Sequence, residues 1–202
     1  MYIGVRIMSE QLSFPGFERG PPNGLFFALV PPVASRLRIV NVIDRLRADV
    51  GLGGRPLSPR CLHISMHSLG AYSEPPNEIV AAACRAATEI SASGFEMILD
   101  RALTFPRNDR THPFVVLPGG EIAALMELHR ALGREMARVG LNRWVDRRFK
   151  PHMTLSYDRQ IIEERAVEAV RWPVNNLVLI YSLRGRGPGR NEHIHLARWP
   201  LR

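Results

Sequence analysis

Lysine is almost missing from this chain of 202 residues: Lys150 is the only one among 27 basic side chains, and the rest are arginines. Cysteine is nearly as scarce, with Cys61 and Cys84 alone. Two thiols are too few for a disulfide-stapled scaffold or a cysteine-based zinc site, so buried, inert thiols are expected. Long apolar runs are lacking as well. The longest, 25–33, contains Pro31 and Pro32 and falls far short of the roughly 18 residues of a membrane span. The first residues do not follow a signal peptide's order of basic, apolar and small regions. The expectation is a cytoplasmic protein with no membrane contact.

What is present is positive charge. Against 27 basic residues stand 19 acidic ones, a formal net charge of +8. That balance favours an anionic partner such as RNA over a neutral or basic one, and the planar arginine fork suits phosphate oxygens. A compositional bias would give the same excess, so charge alone assigns no function.

The length permits a sizeable core, and 46% apolar with 23% charged residues is ordinary for a globular chain. Residues 1–23 show no periodicity and read as a flexible leader, with Met8 an alternative start. The remainder, 24–202, reads as a single bilobal domain. The run GLFFALV at 24–30 predicts a buried strand, and 33–50 a helix whose apolar stripe includes Leu37, Ile43 and Val50. Further helices are expected over 77–93, 121–139 and 160–170. Strands are expected over 95–104, 114–117, 174–183 and 193–199, the last two joined by an arginine- and glycine-rich loop at 184–190. That loop fits an RNA backbone clamp and a solvated hairpin connection equally.

Two short segments share one grammar: Leu62-His63-Ile64-Ser65-Met66 and Pro151-His152-Met153-Thr154-Leu155. Successive side chains of a strand face opposite ways, so His63 and Ser65 share one face, and His152 and Thr154 do the same. Each segment follows a strand and a long helix. The two halves therefore echo each other, with the histidines set on opposite walls of one cleft. Hydrolysis of a 2′,3′-cyclic phosphate by in-line attack needs a base on the water side of phosphorus and an acid on the leaving-oxygen side. Histidine suits both roles, since its ordinary pKa is about 6.5. The hydroxyls of Ser65 and Thr154 suit the non-bridging oxygens, and Lys150 with nearby arginines adds positive field.

With these residues in view, LHISMHSLG and PHMTLSYD resemble the paired H-x-[ST]-φ motifs, φ being apolar, of the two-histidine phosphoesterase superfamily. Within it the chain is most similar to the LigT-like 2′-5′ RNA ligases, also called RNA 2′,3′-cyclic phosphodiesterases. The likeness runs from LFFALVPP through FKPHMTL to ARWPL, roughly residues 24–201. It implies an α+β fold of two duplicated lobes with antiparallel sheets around a central cleft. It places the catalytic pair on His63 and His152 and the phosphate-binding hydroxyls on Ser65 and Thr154. The residues themselves add Lys150, Tyr157 and His67 as candidate substrate contacts. It also implies no metal. No other cofactor is expected, and a monomer is the default expectation. The implied substrates are RNA with 2′,3′-cyclic phosphate ends, tRNA fragments among them, or cyclic nucleotides, opened to a 2′-phosphate. Some members also make or break a 2′-5′ linkage. The chain departs from the pattern at Ser65, where threonine is commoner, at Ser68 in place of an aromatic residue, and at Tyr157 in place of an arginine.

The other five histidines and two aromatic residues complete the candidates. His67 is about 13 Å along a regular strand from His63, at about 3.3 Å per residue, and reads as cleft lining rather than a third catalytic group. His193 and His195 read as a structural strand rather than a metal pair, because no carboxylate pattern completes a site. His112 reads as a turn residue and His129 as a helix-surface one. Phe149 and Trp144 read as core packing rather than base-stacking platforms.

Overall fold

The structure is a computed structural model that describes residues 23–107, 110–185 and 191–202. Of the leader expected over 1–23, residues 1–22 lie outside the described residues and Asn23 opens the first strand; of the loop expected over 184–190, residues 186–190 lie outside. Among the described residues the α-helices and strands follow in order: β1 (Asn23–Leu29), α1 (Val33–Val50), β2 (Ile64–Tyr72), α2 (Asn77–Thr88), β3 (Phe95–Thr104), β4 (His112–Pro118), α3 (Ala123–Arg138), β5 (Met153–Asp158), β6 (Arg165–Val174), β7 (Asn176–Leu183) and β8 (Glu192–Pro200). The strands form two four-stranded antiparallel sheets, ordered β2-β1-β7-β8 and β5-β4-β3-β6. This is the α+β arrangement of two antiparallel sheets that the sequence led us to expect. No helix among the described residues is long and apolar enough to cross a membrane.

The duplication is visible in connectivity. Strand, helix and motif strand occur as β1-α1-β2 and again as β4-α3-β5, and each motif strand pairs antiparallel with the strand before its helix. Both motif strands sit at a sheet edge. The helices pack on the apolar faces, where Leu25, Phe27 and Leu29 of β1 join Ile39, Ile43, Leu128, Leu132 and Trp172 in one core. Helix α1 stops at Gly51, whose φ of 69° lies in the left-handed region open to glycine, and the Leu52 N–H closes on the Arg47 carbonyl at 3.0 Å.

The helix expected over 160–170 is not there. Residues 165–174 form β6, paired with β3 along Phe95↔Val174 to Ala102↔Arg165. The Glu, Ala and Arg content suggested a helix, but burial of Val170, Trp172 and Val174 has a period of two. The apolar underside of β3 and α1 holds this edge in the sheet, and such packing overrides local propensity. Exposed pairs Arg171–Glu96 at 2.9 Å and Arg45–Glu168 at 3.3 Å tie its outer face to neighbours, each contributing little. Helix α2 is also shorter than expected, ending at Thr88.

Candidate active site

Each motif histidine sits at the entrance of its edge strand and is oriented from behind by its own chain. His63 Nδ1 donates to the Cys61 carbonyl at 2.7 Å, and His152 Nδ1 donates to the Lys150 carbonyl at 2.7 Å. A carbonyl only accepts, so Nδ1 carries a proton in both rings and Nε2 is the nitrogen left to exchange one with a substrate. The Ser65 hydroxyl donates to His63 Nε2 at 3.0 Å, and Ser65 is exposed on the same face. Thr154 is half-buried two residues beyond His152. The two histidines are near enough for the charge of His152 to lower the His63 pKa.

A short connection draws the motif strands together. Pro56 bridges antiparallel to Ser156, and the Leu57 N–H donates to the Leu155 carbonyl at 2.7 Å. The chain that leads into His63 is thereby stitched to the strand that follows His152.

The first sheet is bent. Register shifts interrupt β1–β2 at Leu25/Phe26 and Phe26/Ala28, and β7–β8 at Leu179/Ile180. Such irregularities curve strands, and here the diagonal corners of the sheet meet, with the Cys61 thiol 3.0 Å from the Asn191 carbonyl. Phe26 stacks on His63 with centroids 4.8 Å apart, and His193 meets the same ring edge-on at 4.9 Å. Phe105 packs edge-on to His152 at 5.1 Å. His193 lies in a strand as expected, but strand phase does not reveal which corners a bent sheet brings together, and its contact with His63 is not legible in the sequence.

Burial under these rings pushes the His63 pKa down to about 4, against the Cys61 carbonyl bond that opposes it. His193 is pushed down to about 3, by burial first and then by His63 and other neighbouring charges. At neutral pH both rings are uncharged.

Other expected contacts fall elsewhere. His67 does not line the face of His63. Between Phe26↔Ser68 and Ala28↔Ser65, β2 runs three residues against two of β1, and the phase reverses. His67 is turned into the core at 1% exposure, and Ser68 takes the exposed face. Asp146 N–H donates to its Nδ1 at 3.1 Å, while its Nε2 donates to the His129 carbonyl at 3.0 Å. Both ring nitrogens are bonded within the protein, which holds His67 off the face it was expected to share with His63. His129 likewise is not on the helix surface: it is 5% exposed, with its ring 4.0 Å from that of His67 and 4.0 Å from that of Phe149. Lys150 holds His152 through its carbonyl, while its residue borders a cavity of about 810 Å³ with His67, His129 and Phe149. Tyr157 is exposed and borders a different cavity with Gly51 and Gly54. His112 opens β4, its Nδ1 accepting from the Arg107 N–H at 3.1 Å. Trp144 packs against the core under the Arg143 guanidinium, 3.8 Å from the ring centroid. Both cysteines are free, and burial pushes both thiols up. No group of three or more His, Cys, Asp or Glu side chains suited to a metal occurs among the described residues.

The family model described as the 2′-5′ RNA ligase superfamily matches residues 31–186. The chain belongs to that superfamily. Among solved structures, E. coli LigT complexed with NADP+ is 27% identical, with a TM-score of 0.68 over 90% of this chain and 99% of that one. A protein solved as a phosphoesterase is 25% identical, with a TM-score of 0.70 over 89% of this chain and 98% of that one. The protein TT0787 of Thermus thermophilus, at 23% identity, shares the fold with a TM-score of 0.68 over 88% of this chain and 97% of that one. LigT has also been crystallised with ATP, 3′-AMP and phosphate. Comparison with curated proteins finds no match. Membership agrees with the two-histidine phosphoesterase resemblance of the motifs and gives the protein a phosphoesterase or ligase-type fold.

Proposed function

We propose that this superfamily member is a metal-independent phosphodiesterase that opens 2′,3′-cyclic phosphate ends of RNA or nucleotides to a 2′-phosphate. The observation that carries the reading is the matched pair of Nδ1–carbonyl bonds, at 2.7 Å each, which aim two Nε2 atoms from two edge strands. The nucleotides and phosphate bound by LigT support a nucleotide ligand here. The protein is taken to act as a monomer in the cytoplasm.

In this reading His63, neutral at physiological pH, accepts a proton from the attacking water as the water oxygen bonds to phosphorus. His152 serves as the general acid, its Nε2 giving a proton to O3′ as the P–O3′ bond breaks. The 2′-phosphate leaves with both oxygens satisfied, and solvent returns the histidines to their starting states. On substrate binding the Ser65 hydroxyl turns from His63 Nε2 to a non-bridging oxygen, freeing that nitrogen for the water proton. The Thr154 hydroxyl donates to the other oxygen, where charge develops. With the 5′-hydroxyl of a second RNA end in place of water, the same groups serve 2′-5′ ligation: His63 takes the hydroxyl proton as O5′ bonds to phosphorus, and O3′ leaves protonated.

The test is turnover of a short RNA bearing a 2′,3′-cyclic phosphate. His63→Ala and His152→Ala are each expected to lower kcat by about 10²–10⁴-fold, and EDTA is expected to leave the rate unchanged. Full turnover in both variants would refute the assignment. Tight cyclic-nucleotide binding by the wild type with no product would instead favour a non-catalytic RNA- or nucleotide-binding module.

A further inference from the structure

Beside His63, the apolar floor formed by Phe26, Ala28 and Ile180 continues through Val178 and Val30. It ends in a separate cavity of about 390 Å³ that Val30 and Val178 share with Arg36, Arg198, Asn175 and Asn176. Two guanidinium groups therefore meet at one hollow. Arg36 is half-buried, and its Nε donates to the Pro31 carbonyl at 2.7 Å, which fixes the plane of the fork. Its terminal nitrogens have no acceptor among the described residues. Neither arginine lies within ion-pair distance of a carboxylate among those residues, although six ion pairs form elsewhere.

Two like charges at one cavity, one of them half-buried, cost free energy that a bound anion relieves. Their proximity is felt in titration: Arg36 is lowered by burial first and by Arg198 second. The field of Arg36 also reaches His193 and His195, and His193 touches the ring of His63. The arginine pair thus lies at the far end of the floor that begins at the reacting centre. The Asn175 and Asn176 amides supply further polar groups, and the valines supply an apolar surface between.

We propose that Arg36 and Arg198 form a second phosphate site, which takes the phosphodiester on the 5′ side of the terminal nucleotide while the cyclic phosphate lies at His63 and His152. The inference rests on the reaction proposed above and narrows its substrate class to oligonucleotides. A planar fork fixed by one carbonyl bond presents two parallel N–H groups to phosphate oxygens, a geometry lysine does not offer. The intervening ribose and base would lie over Val30 and Val178.

The experiment compares kcat/KM for cytidine 2′,3′-cyclic phosphate with that for a dinucleotide carrying the same cyclic end. Arg198→Ala is expected to lower the dinucleotide-to-mononucleotide ratio by about tenfold or more. It should also reduce the salt slope of dinucleotide binding by roughly 0.7. Arg36→Gln should act in the same direction; Arg198 is exposed, so its variant carries the test even where Arg36→Gln fails to fold. An unchanged ratio and salt slope in Arg198→Ala would overturn the proposal. Absence of turnover of either substrate by the wild type would instead reject the reaction. In that case calorimetric affinities of cytidine 2′-phosphate and the matching dinucleotide decide: a dinucleotide advantage abolished by Arg198→Ala upholds the second site, and no advantage rejects it.

Discussion

Replacing His129 with phenylalanine should make the protein more resistant to acid. The imidazole is 5% exposed, stacks within 1° of parallel on Phe149, and has an Nε2 with no partner. Burial pushes its pKa down to about 4, with the neighbouring His67 adding to the effect. A histidine whose folded pKa lies below its unfolded value of about 6.5 leaves stability intact above pH 6.5. That stability is lost as pH falls from 6.5 towards the folded value, because the unfolded chain takes up the proton first. Between pH 7.5 and 5.0 the loss from this one group is about 2 kcal/mol, from 1.5 pH units at about 1.4 kcal/mol each. Little solvent screening reduces it at such burial. A phenylalanine ring keeps the stack and removes the orphaned nitrogen, at a cost of about 1 kcal/mol for the Met66 carbonyl bond. Urea unfolding at pH 7.5 should therefore show the two proteins within about 1 kcal/mol. At pH 5.0 the pH-dependent loss should be smaller in the variant by about 2 kcal/mol. Equal losses in both proteins would refute the argument.

Further outcomes follow from the same geometry. The acidic limb of kcat/KM, which reports the free enzyme, should fall near the His63 value of about 4. The limb of kcat should lie higher, because bound phosphate favours the imidazolium; coincident limbs would exclude His63 as the base. His193→Ala should let water reach the His63 ring and move the kcat/KM limb up towards 6.5, and an unmoved limb would show that His193 does not shield it. Trp172, 1% exposed where α1 covers β6, should lose about 3–5 kcal/mol on truncation to alanine, measured by chemical denaturation at pH 7.5.

The regular elements are legible mainly through their start and stop signals; α1 buries Ser35, Ile39, Ile43 and Leu46 and leaves the expected stripe residue Leu37 58% exposed. The helix at 33–50 and the strand at 95–104 match α1 and β3 at both ends. The motif pair was legible for a different reason, since two copies of one short grammar imply two copies of one local structure. What was hidden depends on departures from ideal strands. His67 was assigned to the wrong face because β2 carries an extra residue opposite Phe26 and Ala28, and no residue type in that stretch announces it. His193 was assigned a bland role because its contact with His63 requires a bent sheet. The helix expected at 160–170 reflected helix-forming residues whose apolar members are buried only by long-range pairing with β3. Arg36 and Arg198, 162 positions apart by 198 − 36, share a cavity that no local pattern foretells.

The Pro56–Leu57 stitch on β5 has a consequence for self-association. A motif strand at a sheet edge offers unpaired N–H and C=O groups to any other strand that comes near. On β5 that edge is already taken at Ser156 and Leu155 by the chain's own connection, and Pro56 has no N–H with which to extend the ladder. Shortening or loosening the stretch that carries Pro56 would bare the edge as well as separate the histidines. Variants of this connection are therefore expected to lose activity and to aggregate together.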